Sequence, residues 1–426
     1  MRYLYSALLT LAAVVTSPYW VYRALREKKY FSNFRQRLGF SLPQLQLPYN
    51  SVWIHAVSVG EVLAAKPLLS FLRTRRPDLI IVVSTVTLTG QALAQRELAQ
   101  AAGIFYFPFD WAFCIRRVMN MVRPRAVILM ETELWPNFLR LCKESGIPVF
   151  LANGRISDSS LRRYRHVPRL TRFMLDRLLV VGAQTQEDKR RFGMLGAVES
   201  RICVTGNLKF DFKAPNVDHA TDLLNLIRRR LDLGSGNQMI VVGSSMRGEE
   251  GHFLEAFQKV KLRVSGARLV IAPRHPERFG EVADLITRSG IPFLRRSEIE
   301  ASGQETEPEI LLLDTIGELR AVYLLAEIAV IGGSFLPFGG HNLLEPAALG
   351  KAIVFGPDMS NFKEMAGLFL REQAARRCAL GELSEVLADL LINPTTRSLL
   401  GQRAVTTFRQ NQGAAEATAA FILPHL

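Results

Sequence analysis

Acidic side chains follow two apolar runs in the first half of the chain, at positions where parallel α/β proteins bind ligands. Glu61 ends the motif HAVSVGE, while Glu131 and Glu133 follow the run that closes at Met130. Because ligands bind at the carboxyl edge of a parallel sheet, we expect these carboxylates on one edge, where they indicate a functional site. Glu61 also opens a helix, and a helix N-terminus stabilises a carboxylate, so the alternative is that Glu61 only caps that helix.

A cation stands near the end of the first half of the chain. Lys209, in the motif TGNLKFD, is expected close to the cleft between two domains. There its ammonium group can neutralise a phosphate or a carboxylate. The alternative is an ordinary surface lysine.

The second half of the chain carries residues suited to binding an anion. The motif APRHPERF follows a strand-like run and brings Arg274, His275 and Arg278 to one turn, which suits recognition of an anion or a base. The alternative for His275 is a neutral ring packed on a proline. In DTIGELR, Gly317 and Glu318 open a helix whose free backbone N–H groups can bind phosphate.

A glycine-rich segment, IGGSFLPFGGHNLLEPAALG, begins at the end of another strand-like run. Its glycines allow the backbone to approach a ligand closely. Asn342 and Glu345 share one helix face, and a carboxylate in a nucleotide site accepts hydrogen bonds from the ribose hydroxyls. The sequence has neither the glycine fingerprint of dinucleotide-binding proteins nor a Walker phosphate loop, which argues against a nicotinamide-dependent enzyme and an NTPase.

Short apolar runs alternate with longer amphipathic segments along the chain. This alternation predicts an α/β protein whose parallel sheets are covered by helices on both faces. The runs form two groups and therefore two α/β units. They are 51–57, 79–85, 126–130, 148–152 and 179–183 in the first half, and 239–243, 268–272, 310–314, 328–332 and 352–356 in the second.

The N-terminus predicts a membrane anchor. Residues 3–22 contain no charged side chain, carry tyrosine or tryptophan near both ends, and are about long enough to cross a bilayer. A basic stretch follows, which places the rest of the chain in the cytoplasm. A cleaved signal peptide is the alternative.

The composition is basic, with 53 Lys and Arg residues against 39 Asp and Glu residues and a net charge of +14. This charge favours an anionic partner: nucleic acid, an anionic membrane or a phosphorylated substrate. A second basic cluster, interleaved with apolar residues, can lie on a membrane or bind a phosphorylated lipid, unless it is only a solvated helix face. It includes Arg162, Arg163, Arg165 and Arg169.

Several motifs together resemble one known family, and they extend over nearly the whole chain. They are HAVSVGE, TVTLTG at 85–90, ETELWPN, LANGRISD, GNLKFD, APRHPER and GGHNLLEP. The family is that of the 3-deoxy-D-manno-octulosonic acid (Kdo) transferases of lipopolysaccharide synthesis in Gram-negative bacteria, which are inverting glycosyltransferases. The resemblance implies transfer of Kdo from CMP-Kdo to lipid IVA, the tetraacylated disaccharide bisphosphate precursor of lipid A.

The resemblance also implies roles for individual residues. Glu61 is similar to the general base that removes the proton of the acceptor hydroxyl, and Glu131 and Lys209 are similar to residues that stabilise the transition state. The arginines of the second cluster are expected on the acceptor and membrane side. The implied CMP site contains Pro273, Arg274, His275, Ile316, Gly317, Glu318, Asn342, Leu343, Leu344 and Glu345.

No metal and no other cofactor is expected. The sequence has no acidic pair with the spacing of metal ligands. Lys209 and helix N-termini would then neutralise the charge of the leaving CMP phosphate.

The implied fold is GT-B, with two Rossmann-like domains whose parallel sheets face a central cleft, plus an N-terminal membrane-anchor helix. The expected location is the cytoplasmic face of the inner membrane, with anionic lipids as partners and no nucleic acid. The expected segments are an anchor and basic flank at 1–40, an acceptor-binding domain at 41–212, a linker at 213–237, a CMP-Kdo-binding domain at 238–405 and a helical tail at 406–426.

Two alternative functions follow from the same features. A GT-B transferase that uses a UDP-sugar on a membrane acceptor would share the fold, but the motif PRHPER and the acidic residues after the N-terminal runs argue against it. A basic nucleic-acid-binding protein would place alternating aromatic and basic residues on a sheet or groove, a pattern that the sequence lacks.

Overall fold

The computed structural model describes residues 2–26, 33–40, 50–212, 221–234, 236–300 and 307–426. The chain forms two compact units. The first contains Met1–Phe212 together with Asn411–Leu426, and the second contains Lys213–Gln410.

The first unit is built on a parallel sheet. Its strands are β1 (Ser51–His55), β2 (Ile81–Thr85), β3 (Gly103–Tyr106), β4 (Pro124–Met130), β5 (Val149–Gly154), β6 (Val180–Ala183) and β7 (Ile202–Val204). They lie in the order β3-β2-β1-β4-β5-β6-β7, and every pair is parallel. The helices are α1 (Arg2–Arg26), α2 (Phe34–Arg37), α3 (Val59–Arg75), α4 (Leu88–Glu97), α5 (Ala112–Val122), α6 (Pro136–Glu144), α7 (Asp158–His166), α8 (Pro168–Leu175) and α9 (Gln186–Met194).

The second unit repeats this architecture. Its strands are β8 (Gln238–Ser245), β9 (Ala267–Pro273), β10 (Phe293–Arg295), β11 (Ile310–Leu312), β12 (Ile328–Ile331), β13 (Ala352–Phe355) and β14 (Arg376–Arg377). They lie in the order β10-β11-β9-β8-β12-β13-β14, again all parallel. The helices are α10 (Thr221–Arg230), α11 (Glu249–Arg263), α12 (Phe279–Ser289), α13 (Leu319–Val322), α14 (Leu344–Ala348), α15 (Lys363–Arg371), α16 (Leu383–Ile392) and α17 (Pro394–Gln410).

Apolar cores cover both faces of each sheet. In β1 of the first unit, Trp53 belongs to the core on one face and the next residue, Ile54, belongs to the core on the other. In β8 of the second unit, Ile240 and Val241 are divided in the same way. Strands buried on both faces read as continuous apolar runs. The structure therefore confirms the predicted α/β class and its parallel sheets.

Each of the predicted runs contains a strand, but the sequence missed β3, β7, β10 and β14. These are the outermost strands of the two sheets. They have four, three, three and two residues, and each is partly or wholly exposed. An edge strand is covered on fewer sides than a central one, so its sequence shows no continuous apolar run.

The structure has a helix inside the predicted linker and another across one predicted boundary. The segment predicted as a linker, 213–237, contains α10, whose Ile227 is buried in the core of the second unit. Residues 213–220 and 235 lie outside the described part of the chain. The boundary predicted between residues 405 and 406 falls inside α17.

Helix α1 contacts the first unit through polar side chains. Asn137 Nδ2 donates a hydrogen bond to Ser6 Oγ at 3.1 Å, and Trp111 Nε1 donates one to Thr10 Oγ1 at 3.2 Å. These polar residues interrupt the apolar N-terminal run. Across the part of the chain that the structure describes, no helix has both the length and the apolar character that crossing a bilayer requires, so the predicted membrane-anchor helix is not found. Residues 27–32 of the predicted basic flank lie outside the described ranges.

The end of the chain returns to the first unit as helix α18 (Ala414–Ile422). The Asp211 carboxylate accepts hydrogen bonds from the backbone nitrogens of Gly413 and Ala415 at the start of this helix. Ala419 and Ile422 are buried in the same core as α3. The tail therefore completes one face of the first sheet.

Candidate active site

Glu61 lies in the first turn of α3, directly after β1. Its Oε2 accepts a hydrogen bond from the backbone N–H of Val57 at 2.8 Å, and its Oε1 accepts one from Ser58 Oγ at 2.9 Å. Ser58 is the N-cap residue of α3 and Val57 precedes it, so neither donor is a free N–H group of the first helical turn, and Glu61 does not cap the helix as the alternative proposed. A carboxylate has about four acceptor positions, so each oxygen keeps a lone pair. The two hydrogen bonds are therefore compatible with proton transfer.

The surroundings of Glu61 favour its protonated form. Burial raises the pKa of Glu61 to about 8; the charges of Glu131 and Glu133 add to the rise, and the bonds from Val57 and Ser58 oppose it. The residue is only 5% exposed. A carboxyl group whose pKa lies close to neutral pH can both accept and release a proton, as general bases do.

Glu131 and Lys209 form an ion pair beside Glu61. Lys209 Nζ lies 3.0 Å from Glu131 Oε1, and each side chain is about one quarter exposed. A Cβ atom placed on Gly60 would lie 3.7 Å from Lys209 Nζ. The ammonium group is therefore next to the first turn of α3. The structure thus brings together three residues that the sequence singled out separately.

Sheet topology explains why these residues meet. Strands β1 and β4 are neighbours in the first sheet, and Glu61 and Glu131 follow their carboxyl ends. Glu131 has a φ of 53°, in the left-handed region that few residues with a side chain adopt. Its backbone N–H donates to Ala152 O of the next strand at 2.9 Å. Such strained conformations cluster at functional sites.

Asn153 positions the segment that carries Lys209, a role that the sequence analysis missed. Its Oδ1 accepts a hydrogen bond from the backbone N–H of Leu208 at 3.0 Å, and its side chain is fully buried. Asn153 also has a positive φ of 58°. The sequence could have indicated this role, because asparagine tolerates a positive φ better than most residues and Asn153 lies near a strand end.

His55, the first residue of the motif HAVSVGE, is a core residue. Its ring stacks on Phe107 with centroids 4.0 Å apart, and its Nδ1 lies 2.9 Å from Ser84 Oγ. Burial lowers the pKa of His55 to about 3. The imidazole is therefore neutral at physiological pH and lies beneath the site.

The loops of the second unit bring several predicted donor-site residues together. Arg274 and His275 are exposed after the end of β9 at Pro273. Burial lowers the pKa of His341 to about 4, and the charges of Arg274 and His275 contribute to the shift. Both the APRHPER turn and the glycine-rich segment lie against the end of β8, where the backbone N–H of Arg274 donates to Ser245 O at 3.0 Å and that of Gly332 donates to Gly243 O at 2.8 Å. The side chain of His275 is 47% exposed, so it is not a packed ring.

Glu345 lies beside Arg320. Its Oε1 lies 3.6 Å from Arg320 Nη2, and burial raises its pKa while Arg320 and Arg274 lower it. Asn342 Oδ1 accepts a hydrogen bond from the backbone N–H of Leu344 at 3.0 Å, which orders the start of α14. Because α14 begins at Leu344, Asn342 lies before the helix, and the predicted helix face shared with Glu345 is wrong. The remaining predicted members, Leu343 and Leu344, are buried, so their side chains belong to the core.

The turn after β11 exposes its backbone. Ile316 is 72% exposed, and Gly317 has a φ of 92°, which favours glycine. Glu318 forms an ion pair with Arg296 at 2.9 Å. The helix that follows, α13, begins at Leu319 and has four residues.

Glu249 is a second positioning residue that the sequence analysis missed. Its carboxylate accepts hydrogen bonds from the backbone N–H groups of Met246 at 2.9 Å, Gly333 at 2.7 Å and Phe335 at 3.0 Å. The side chain is fully buried. It therefore ties the start of α11 to the glycine-rich segment. The sequence pattern around Glu249 resembles that around Glu61, because a glycine and then a glutamate follow a strand in both places.

The predicted acceptor-side arginines are exposed on α7 and α8. Arg162, Arg163 and Arg165 lie on α7, and Arg169 lies on α8. Proline at 168 divides the two helices, as predicted. Of the four, only Arg163 is among the residues that line a cavity containing Glu131.

Known proteins resemble this chain over its whole length. Residues 32–212 match the family described as 3-Deoxy-D-manno-octulosonic-acid transferase (kdotransferase). The chain is 30% identical to the 3-deoxy-D-manno-octulosonic acid transferase of Haemophilus influenzae, covering 100% of this chain and 99% of the relative. It is 34% identical to the enzyme of the same name from Bordetella pertussis, covering 86% and 85%.

A solved structure supports the architecture. The crystal structure of HepE from Anabaena in complex with UDP has a TM-score of 0.58 and 12% sequence identity, and the match covers 88% of this chain and 100% of HepE. That similarity shows a GT-B-like fold. Because the similarity to two transferases extends over most of each sequence, the chain belongs to the family of 3-deoxy-D-manno-octulosonic acid transferases, which are glycosyltransferases of lipopolysaccharide synthesis.

Proposed function

We propose that this protein transfers Kdo from CMP-Kdo to lipid IVA with inversion at the anomeric carbon. The observation that carries the proposal is the group formed by Glu61, Glu131 and Lys209 at one edge of the first sheet. Membership of the Kdo transferase family supports the choice of sugar.

Glu61 acts as the general base. Its unprotonated carboxylate takes the proton of the acceptor hydroxyl while the hydroxyl oxygen forms a bond to the anomeric carbon of Kdo. The bond from that carbon to the CMP phosphate oxygen breaks in the same step, and its electron pair leaves with CMP. One in-line displacement inverts the configuration, so a single base suffices. The raised pKa of Glu61, about 8, supports this role.

Glu131 and Lys209 stabilise the transition state. Their ion pair of 3.0 Å holds the ammonium group beside the first turn of α3. A fixed cation there stabilises the negative charge that builds up as CMP leaves, because preorganised charges need not reorient during the reaction. The Glu131 carboxylate holds the cation in place and offsets the positive charge that develops on the sugar ring.

CMP binds to the loops of the second unit. Arg274 and His275 bind the phosphate, and the backbone at Gly317 lies against the nucleotide. Glu345 accepts hydrogen bonds from the ribose hydroxyls, as carboxylates in nucleotide sites do. The turn of Arg274 and the glycine-rich segment both contact the end of β8 through backbone hydrogen bonds, which supports one shared site.

The protein meets its lipid acceptor at the cytoplasmic face of the inner membrane. Apolar side chains on α1 are exposed: Leu8, Leu11, Val15 and Tyr19 are each more than half exposed. A helix with such a stripe can lie in the headgroup region. The exposed Arg162, Arg165 and Arg169 then contact anionic lipids. Nucleic acid is not a partner.

The test is the variant Glu61→Gln with Glu199→Gln as its control. Removing the base is expected to lower turnover by about 10²- to 10⁴-fold, while CMP-Kdo binding stays unchanged because the base serves the acceptor. Glu199 is exposed in the same unit, so its variant should match the parent. Transfer is measured by mass spectrometry of lipid IVA after incubation with CMP-Kdo.

Two results would contradict the proposal. The first is turnover of Glu61→Gln close to that of the parent. The second is a parent protein that forms product from a UDP-sugar and none from CMP-Kdo. The mass of the product also gives the number of Kdo residues added.

A further inference from the structure

A cavity of about 330 Å³ lies in the first unit, and Glu131 is part of its wall. The wall comes from the loop after β4 and from the segment that leads from β5 into α7. Because Glu131 also holds Lys209, the cavity adjoins the proposed catalytic group. The rest of its wall has no part in the reaction steps described above.

The wall combines carboxylates with guanidinium and hydroxyl groups. Glu131, which is paired with Lys209, and Glu133 supply the carboxylates. Arg155 and Arg163 supply the guanidinium groups, and Ser157 and Ser160 supply the hydroxyls. Arg163 Nη2 donates a hydrogen bond to Ser160 Oγ at 3.2 Å, and Ser157 Oγ lies 3.0 Å from Ser160 Oγ. The guanidinium group of Arg163 and the hydroxyls of Ser157 and Ser160 therefore form one hydrogen-bonded group.

Aromatic rings complete the wall. Trp135 and Tyr164 both line the cavity. Tyr164 Oη donates a weak hydrogen bond to Thr132 O, another residue of the wall, at 3.4 Å. Aromatic side chains with a polar edge suit ligands that have both apolar faces and hydroxyl groups. A sugar ring is such a ligand, and the volume of the cavity lies in the range of small-molecule sites.

We propose that this cavity binds a phosphorylated sugar ring of the acceptor. Arg155 and Arg163, with the hydroxyls of Ser157 and Ser160, bind the phosphate monoester, and Glu133 accepts hydrogen bonds from the sugar hydroxyls. The inference rests on the proposed function, since it assigns the part of the acceptor that lies beside the attacking hydroxyl.

The number of donors favours a phosphate over a carboxylate. A phosphate monoester carries between one and two negative charges at neutral pH and has three acceptor oxygens. Two guanidinium groups and two hydroxyls match that charge and those oxygens, since arginine donates two parallel hydrogen bonds to such groups. The single carboxylate of Kdo would leave half of these donors unused. The acceptor is therefore the source of the bound group, and binding of the donor carboxylate is the competing outcome.

The experiment compares two acceptors in the full-length protein: lipid IVA and the same lipid after removal of both phosphates. Arg163→Ala is expected to raise the KM for lipid IVA by about 10- to 100-fold, the range for losing a charge-assisted hydrogen bond. Arg163→Lys should fall between this variant and the parent. The KM for CMP-Kdo and all constants for the dephosphorylated lipid should stay unchanged. Arg190→Ala is the control, since Arg190 is an exposed arginine on α9 outside the cavity wall.

Binding of each lipid in detergent micelles without donor gives a second readout. Arg163→Ala should remove the preference for the phosphorylated lipid, and thermal unfolding checks that the variant is folded. A variant that weakens both lipids equally, or that raises the KM for CMP-Kdo instead, would overturn the inference while leaving the proposed function intact. A parent that binds lipid IVA through Arg163 but forms no product would contradict the proposed function and not this site.

Discussion

At the scale of single residues, one side chain orders a turn and is also the proposed base. Glu61 accepts hydrogen bonds from Val57 and Ser58 at the start of α3, and burial raises its pKa to about 8. The two bonds fix the position of the carboxylate, and the raised pKa suits the proposed role of a base near neutral pH. The local turn and the proposed chemistry therefore depend on the same two hydrogen bonds.

The first prediction concerns pH. Because Glu61 must be unprotonated to accept a proton, transfer by the parent should increase with pH and level off above about 8, the pKa of this residue. The measurement is kcat/KM between pH 6 and 9.5 with lipid IVA and CMP-Kdo. A profile that is flat through pH 8 would show that another group is the base.

The second prediction concerns stability and uses Glu61→Gln. The folded pKa of Glu61 is about 8 against an ordinary value of 4.5, so the folded chain holds a proton that the unfolded chain releases between these values. The free energy of unfolding therefore falls as pH rises through this window. Glutamine stays neutral and can still accept from Val57, so the variant should be about 1–3 kcal/mol more stable than the parent at pH 9.

Denaturant unfolding at pH 5 and pH 9 provides the comparison. The difference in the free energy of unfolding between the variant and the parent should be small at pH 5, because Glu61 of the folded parent is protonated there. An equal increase in stability at pH 5 and pH 9 would mean that the buried charge of Glu61 is not the cause of the increase.

At the scale of elements, buried polar side chains connect segments that are distant in sequence. Asn153 holds the segment of Lys209, and Glu249 holds the glycine-rich segment. Asp110 does the same for α6: its carboxylate accepts hydrogen bonds from the backbone N–H groups of Asn137 at 3.0 Å and Phe138 at 2.9 Å. Asp110 also contacts Tyr5 of α1, and burial raises its pKa to about 6.

The third prediction concerns this connection. Asp110→Ala leaves two buried backbone N–H groups without their acceptor, so it should destabilise the first unit by about 1–3 kcal/mol. It should also speed hydrogen exchange along α1, because the contact with Tyr5 is lost. Asp176→Ala is the control, since Asp176 is exposed at the end of α8. If hydrogen exchange along α1 were unchanged, the other contacts of that helix would be sufficient to hold it in place.

At the scale of the whole molecule, the first and last segments of the chain belong to the same unit. Helix α18 packs Ala419 and Ile422 into the core beside α3, more than three hundred residues earlier in the chain. Asp211 fixes the start of the helix. The stability of the first unit therefore depends on residues that follow the second unit.

The fourth prediction is that deletion of residues 411–426 destabilises the first unit selectively. Exposing the core side chains that α18 covers should cost about 2–5 kcal/mol, as for truncation of large buried residues. Unfolding is followed by hydrogen exchange in each unit. The second unit should keep its exchange rates, and Glu416→Ala, an exposed position on α18, should behave as the parent. Equal destabilisation of both units would contradict the assignment of the tail.

The fifth prediction concerns metal removal. In the proposed mechanism, cationic side chains such as Lys209 stabilise the charge of the leaving phosphate without a metal, so transfer should continue in excess EDTA. Product formation with and without EDTA is compared by mass spectrometry. A complete loss that Mg²⁺ restores would show that the transfer needs a metal.

The sequence by itself determined the central strands, the α/β class and the residues of the candidate site. Strands buried on both faces must be apolar throughout, and a residue that follows a parallel strand must lie at the ligand-binding edge. Glu61 and Glu131 could be named for that reason, and Lys209 from its place near the end of the first half of the chain, although the ion pair between Glu131 and Lys209 could not be predicted. The edge strands β3, β7, β10 and β14 left no such pattern, because edges are only partly covered.

Only the tertiary structure decided which distant residues meet. It placed α18 in the first unit, gave Asn153 and Glu249 their positioning roles, and joined Arg155 and Arg163 to Glu133 around one cavity. It also turned Ser6 and Thr10 of α1 toward the first unit. The physical reason is the same in each case: local sequence specifies strands, helices and caps, whereas contacts between them depend on how the sheets order their strands.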